Sequence, residues 1–291
     1  MRVRHRPPEN SAVMHPARPL LAALLAFGLS SGLAQAKDWT HVRVATEGAY
    51  PPFNSTTADG KVIGYEPDLL KAVCDRLKIT CDTVVQDWDG LIPGLKAGKF
   101  DAIMSGMSIT PKREEAIAFT VPYSQGPSTF AVMAGGPLAS LPSTGVDLDL
   151  ADHDAAMARL APLRDALKGK VVGVQVATIQ ADLMAQYLPG VEVRSYKTND
   201  EVALDLEAGR VDAWIGSQTN LSAGVKAAKG GLAYAGPLFK GGLLGKGSGM
   251  GLRKDDADLK ALLDRGLVEA MADGTAGKLS QQWFGFDIVP R

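Results

Sequence analysis

Short apolar runs alternate with longer amphipathic stretches from about residue 42 onward, and this alternation sets the reading of the fold. Residues 42–46, 83–86, 100–104 and 129–133 have the length and the bounding turn residues of buried strands. Between them, 67–77, 91–97 and 111–118 carry helical periodicity. The pattern then starts again, with strands at 171–175, 191–196 and 211–215 and helices at 179–187 and 200–208. Such βαβ alternation predicts largely parallel sheets with helices on both faces. Breaks rich in Pro, Gly and Ser fall at 122–127 and 236–242.

The second half repeats the first. Leu-Lys-Ala-Gly-Lys-Phe-Asp-Ala-Ile at 95–103 is echoed by Leu-Glu-Ala-Gly-Arg-Val-Asp-Ala-Trp at 206–214. Each reads as a helix ending on a C-terminal glycine that feeds a strand. Duplicate halves imply two similar lobes. The breaks divide the chain into a first lobe at 37–126, a second at 127–241 and a segment, 242–291, that returns to the first.

Residues 1–36 read as a leader rather than as part of the fold. The apolar run 20–33 is too short to span a bilayer, follows basic residues and ends at Ala34-Gln35-Ala36, an expected cleavage site. Met14 starts a better-proportioned leader than Met1. The protein is thus expected in the periplasm, with no lipid anchor.

Removing the leader takes four arginines and one glutamate from the chain's 31 basic and 32 acidic residues, leaving 27 against 31. That balance argues against nucleic acid or an anionic membrane as partner. Cys74 and Cys81 in an exported chain read as a disulfide closing a short loop, with free thiols as the alternative. Only His41 and His153 remain after the leader, so no metal site is expected.

Candidate chemistry concentrates between Asp101 and Thr120. A strand ends near Met104, small polar residues follow, and Thr110-Pro111 marks a helix start. Arg113 is a cation in a first turn, where the helix dipole disfavours one. Beside serine hydroxyls and backbone N–H groups it makes a socket for an anion such as a carboxylate; a solvated surface arginine is the plainer alternative. Because open α/β sheets bind ligands beyond the carboxyl ends of their strands, the residues just after each strand are further candidates. These are Glu47, Tyr50, Trp88, Ser105, Gly106 and Ser108 in the first half, and Gln175, Thr178 and Ser217 in the second.

The pattern Ser105-x-x-Ser108-Ile109-Thr110-x-x-Arg113 resembles the ligand motif of periplasmic solute-binding proteins for polar amino acids, the lysine/arginine/ornithine- and histidine-binding group. Ala-Thr-Glu-Gly-Ala-Tyr-Pro-Pro-Phe (45–53), Gly-Tyr-Glu-Pro-Asp-Leu (64–69), Gly-Leu-Ile-Pro-Gly-Leu (90–95) and Gly-Leu-Arg-Lys-Asp-Asp (251–256) extend the likeness to the C-terminus. Thr-Glu-Gly-Ala-Tyr, with Asp-Trp-Asp-Gly at 87–90, is most similar to the opine branch, whose ligands include octopine and nopaline. The resemblance implies two α/β lobes joined by two hinge strands, a ligand in the cleft, a Cys74–Cys81 bridge and a membrane permease of an ABC importer as partner. Monomeric protein and no cofactor are expected. Residues 135–168 do not match the short members, and are read as a surface insertion or a contact for the transporter.

The same resemblance implies roles. Arg113, with the Ser108 hydroxyl, takes a carboxylate, and Thr178 closes on it from the second lobe. Tyr50 and Trp88 align with aromatics that sandwich a long cationic side chain, and Glu47 stands where an Asp meets its charged end. Three departures matter. Val176-Ala177 replaces the usual Gly-Ser/Thr before Thr178. Ser217 replaces the Asp that neutralises a free α-ammonium, and Gly106 replaces a Ser, which is expected to widen the pocket. The leading expectation is a receptor for a guanidino-bearing opine or basic amino acid; an arginine/ornithine/histidine receptor is the second. An enzyme like the cyclohexadienyl dehydratases is the third, and for it only Glu47 is a plausible acid or base, so no catalytic residue is expected.

Overall fold

The computed structural model describes residues 39–290, together with Val3. Apart from Val3, the expected leader, with Met14 and the Ala36 cleavage site, lies outside the described residues. In chain order the structure opens with β1 (His41–Thr46), β2 (Ala49–Tyr50), β3 (Asn54–Thr56), β4 (Val62–Ile63), α1 (Tyr65–Leu77), β5 (Thr80–Val85) and α2 (Leu91–Lys96). Then come β6 (Ala102–Ile103), α3 (Pro111–Glu114), β7 (Ala118–Phe119), β8 (Ser128–Met133), β9 (Asp147–Asp149), α4 (His153–Arg159) and α5 (Ala161–Ala166). The repeat follows as β10 (Val171–Gln175), α6 (Ile179–Tyr187), β11 (Glu192–Tyr196), α7 (Asn199–Glu207), β12 (Ala213–Ser217), α8 (Gln218–Ala227) and β13 (Leu232–Lys240). The chain closes with β14 (Gly251–Leu252), α9 (Ala257–Ala272) and α10 (Thr275–Phe284).

Each of two lobes is built on one sheet. The first sheet has the order β5-β1-β6-β14-β7 and the second β11-β10-β12-β8-β13-β9. Parallel trios, β5-β1-β6 and β11-β10-β12, occupy equivalent places; β14 and β7 extend the first by antiparallel pairing, as β8 and β13 extend the second, and β9 adds to β13 in parallel. Alternation along the strands explains the apolar runs. In β1, Val42 and Val44 enter one core while Ala45 enters another on the opposite face. In the second sheet Phe130 and Val132 face one core, and Ala131 the other.

The internal repeat has a structural counterpart at both helix ends. After α2, Gly98 adopts φ 73°, its N–H bonds to Leu95 O and that of Lys99 bonds to Gly94 O. After α7, Gly209 adopts φ 70°, with Gly209 N bonded to Leu206 O and Arg210 N to Asp205 O. Both are Schellman terminations, so the repeated Gly is demanded by a left-handed residue that returns the chain to the next strand.

Three expectations change and one helix is added. The helix expected over 111–118 stops at Glu114, because Ala118–Phe119 pairs with β14 and Ile117 and Phe119 are buried. Helix α8, which is not among the elements expected from the sequence, begins at once after β12, capped by Ser217. The expected break at 236–242 overlaps β13, whose register shifts between Ala235 and Phe239. Residues 135–168 are not a surface ornament: Leu138, Leu141, Leu148, Leu150, Leu160, Leu163 and Leu167 lie in the main core of the second lobe. Pro162 divides the insertion's helix into α4 and α5.

Cys74 near the end of α1 and Cys81 in β5 form a disulfide, with Cα atoms 6.2 Å apart. Closing so short a loop stabilises by about 2–3 kcal/mol through the unfolded state. A Cys74→Ala/Cys81→Ala variant is expected to unfold about 5–10 °C lower than the parent in differential scanning calorimetry. An unchanged midpoint would show that packing of α1 alone holds this corner.

Candidate functional site

A cavity of about 530 Å³ lies between the carboxyl ends of the two parallel trios. Its wall includes all ten residues singled out from the sequence: Glu47, Tyr50, Trp88, Ser105, Gly106, Ser108, Arg113, Gln175, Thr178 and Ser217. The two connecting stretches between the sheets also line it, among them Gln125, Pro127, Gly245 and Ser248.

On the first-lobe side, β1 delivers Glu47, which is 6% exposed. Its N–H donates to Ser105 Oγ at 2.9 Å, so Ser105 fixes the loop that carries the acid. The Glu47 carboxylate accepts a bond from Gln175 Nε2 at 2.5 Å, across the cleft. Desolvation pushes this carboxyl up to about 8; the Gln175 bond opposes the shift, and Asp200, Glu66 and Asp87 add to it. Among the described residues no Lys or Arg forms an ion pair with Glu47.

Arg113 is the opposite case. Thr110 caps α3 by accepting from Arg113 N at 3.2 Å, and Nη1 donates to Ser108 O at 3.1 Å. The guanidinium lies 5.2 Å over the Trp88 ring, so the cation stacked on this aromatic is one of the protein's own. Nη2 reaches Ala177 O, in the second lobe, at 3.5 Å. Burial lowers the Arg113 guanidinium to about 10, partly offset by Asp182 and Tyr50, which leaves it charged at neutral pH. It forms no ion pair among the described residues. With four residues, α3 brings too few aligned peptides for a strong dipole. The positive end of the cavity is therefore the guanidinium itself.

Two other expected donors are engaged. Gly106 N–H donates to the buried Glu66 carboxylate at 2.6 Å, as does Asn54 Nδ2, and the Tyr123 hydroxyl bonds to it as well. Thr178 caps α6 by accepting from Ala181 N at 3.2 Å and donates its own hydroxyl proton to Gln175 O at 2.7 Å. The departure at 176–177 appears as a left-handed Ala177, φ 57°. A non-glycine residue pays about 1–2 kcal/mol for this conformation. It turns the Ala177 carbonyl toward the first lobe, where Trp88 Nε1 donates to it at 3.2 Å.

Gly106 does not widen the pocket. A Cβ there would stand 2.8 Å from Tyr50 Cε1, so the room left by the missing side chain is taken by the Tyr50 ring. That ring stacks on Phe53, with centroids 5.4 Å apart, and its hydroxyl is 2.7 Å from Ser217 Oγ. Asn220 Nδ2 also crosses the cleft, donating to Pro51 O at 3.0 Å. Exposed pairs Lys112–Asp182 (3.0 Å) and Lys197–Asp87 (2.7 Å) tie the rims and contribute little each.

Sequence reasoning missed Asn199, which lines the cavity and orients Gln175 by donating to its Oε1 at 2.6 Å. Its signal was the capping box Thr198-x-x-Glu201, which fixes the start of α7. The Ala177 carbonyl was also missed, and a backbone acceptor leaves no side-chain signature.

The profile of the bacterial extracellular solute-binding proteins, family 3, matches residues 42–286. An octopine-binding periplasmic protein of Rhizobium meliloti is 40% identical over 298 aligned positions, covering 94% of this chain and 99% of its own. A histidine-binding periplasmic protein of Escherichia coli (strain K12) is 36% identical over 273, covering 92% and 96%. Among solved structures, a periplasmic His/Glu/Gln/Arg/opine family-binding protein from Silicibacter pomeroyi in complex with lysine aligns with TM-score 0.68 and 32% identity, covering 86% of this chain and 100% of its own.

Proposed function

The chain belongs to the bacterial extracellular solute-binding proteins, family 3, and on that premise we propose that its solute is a guanidino-bearing opine or a related basic amino acid. One observation carries the choice: one cavity holds a buried acid, Glu47, and a cation, Arg113, neither of which forms an ion pair among the described residues. A solute with an acid group at one end and a base at the other satisfies both charges. Arg113 and Ser108 take the carboxylate, Glu47 takes the guanidinium, and Tyr50 and Trp88 flank the chain between them. Ser217 offers a neutral hydroxyl where a carboxylate would suit a primary ammonium, which favours the alkylated amine of an opine. The histidine-binding relative supports a second reading, a receptor for arginine, ornithine or histidine.

The receptor works outside the cytoplasm, its leader cut after Ala36, and delivers solute to the permease of an ABC importer as a monomer. Its first lobe comprises 37–126 and 242–291 and its second 127–241, a division supported by β14 joining the first sheet while β8–β13 stay in the second. Titration calorimetry with octopine, nopaline and L-arginine tests the ligand class. Tightest binding of arginine would overturn the opine reading, and binding of none would overturn both.

Affinity should depend on pH in a defined direction. Glu47 holds a proton below about 8 and must release it to pair with a guanidinium. Affinity for a cationic solute therefore falls on acidification, by about tenfold from pH 7 to pH 6. Calorimetry in buffers of different ionisation enthalpy should register close to one proton released at pH 7. An affinity flat between pH 6 and 8 would contradict this role for Glu47.

A further inference from the structure

Flanking a solute does not by itself account for where the Tyr50 hydroxyl lies. Tyr50 leaves the first lobe in β2, rests on Phe53, and places its hydroxyl 2.7 Å from Ser217 Oγ in the second lobe. Ser217 is held ready there: its Oγ accepts from Asn220 N at 3.2 Å as the cap of α8 and lies 3.1 Å from Thr219 Oγ1. The ring reaches this point by lying directly on the backbone of Gly106, which is in the left-handed region at φ 59°. A methyl group at 106 would come within 2.8 Å of Cε1 and 3.2 Å of Cδ1. Such contacts require the ring to move, and the ring cannot slide toward Phe53, which already stacks against it. Gly106 cannot move either, because its N–H is held by Glu66 at 2.6 Å and its carbonyl accepts from Ser248 Oγ at 3.1 Å.

We propose that Gly106, Tyr50 and Ser217 act as one unit: a latch across the cleft in which Gly106 seats the ring, Tyr50 spans the gap and Ser217 receives the hydroxyl, so that the residue at 106 governs solute retention through Tyr50 rather than by touching solute. Gly106 is then a positioning residue, although it and Ser217 lie on opposite walls. This inference rests on the solute-receptor reading but not on which solute is bound.

The test is a set of double-variant cycles read by the dissociation rate of octopine and, in parallel, L-arginine in stopped-flow fluorescence. Tyr50→Phe removes only the hydroxyl and is expected to raise the dissociation rate about fivefold, with the association rate unchanged. In a Gly106→Ala background the ring is already displaced, and in a Ser217→Ala background the acceptor is gone. Tyr50→Phe should therefore be silent in both. A merely structural role for Gly106 would leave the Tyr50→Phe effect intact, and a full fivefold effect in either background overturns the proposal. The same cycles, read by thermal unfolding without added solute, test the latch independently, since the bond joins the two lobes. If neither probe binds while the unfolding cycles show the coupling, the ligand reading fails and the latch stands.

Discussion

Arg113→Ala is expected to weaken solute binding by at least 30-fold and by as much as several thousandfold, with the fold intact. The guanidinium lines the cavity and forms no ion pair among the described residues, and it is partly desolvated against Trp88. Removing one member of a desolvated, hydrogen-bonded charge pair costs about 2–5 kcal/mol, because the solute carboxylate is left without a partner. Each 1.4 kcal/mol is a factor of about ten in affinity. The side chain also donates to Ser108 O and lies near the limit of hydrogen bonding to Ala177 O, so part of the loss reflects a looser first turn. Arg113→Lys separates the two: it keeps the charge and loses the planar fork, and should recover only a fraction of the affinity. Titration calorimetry measures the loss, and an unchanged circular dichroism spectrum assigns it to the site rather than to unfolding. Retention of full affinity in Arg113→Ala would remove the basis for the carboxylate end of the site.

Glu47→Gln should produce the second largest effect, and one that discriminates between solutes. The amide preserves shape and can still meet Gln175, but it offers no negative charge to a guanidinium. A hydrogen bond to a charged group contributes about 1.5–3 kcal/mol, so a cationic solute should bind roughly 10- to 100-fold more weakly. A neutral probe such as L-glutamine should change less than about threefold. The penalty grows with pH. At pH 7 the native carboxyl must first give up a proton held at about 8. That step costs close to about 1.4 kcal/mol, which the native protein is spared at pH 9. The ratio of native to variant affinity should therefore rise about tenfold between pH 7 and 9. A ratio independent of both pH and solute charge would move the cationic end of the ligand away from Glu47.

Much of this site could be read before folding because its residues sit where strands end. Glu47, Ser105, Gln175 and Ser217 follow or terminate β1, β6, β10 and β12, and strand ends are marked by the switch from apolar runs to small polar residues. What those residues do was less legible. Ser105 and Thr178 read equally well as ligand contacts, yet their hydroxyls hold Glu47 N and cap α6. Gly106 reads as an empty space, and the space is filled by Tyr50 from another strand. A missing side chain records only that room was needed, not which neighbour takes it.

The sequence alone determined the local and repetitive features: apolar alternation that makes two sheets, the repeated Ala-Gly that ends α2 and α7, the Thr110-Pro111 start of α3, and two cysteines close enough to join. Each depends on interactions within a few residues, so spacing suffices to specify it. Tertiary structure decided the rest. Pairing with β14 shortened α3, burial of seven leucines made the 135–168 insertion part of a core, and the meeting of two lobes brought Gln175 to Glu47 and Tyr50 to Ser217. Those pairs lie 128 and 167 residues apart, and only the packing of both sheets sets their distance. Charge, in the same way, is written in the chain, but which charges stay unpaired inside a cavity is settled when water has been excluded from between the lobes.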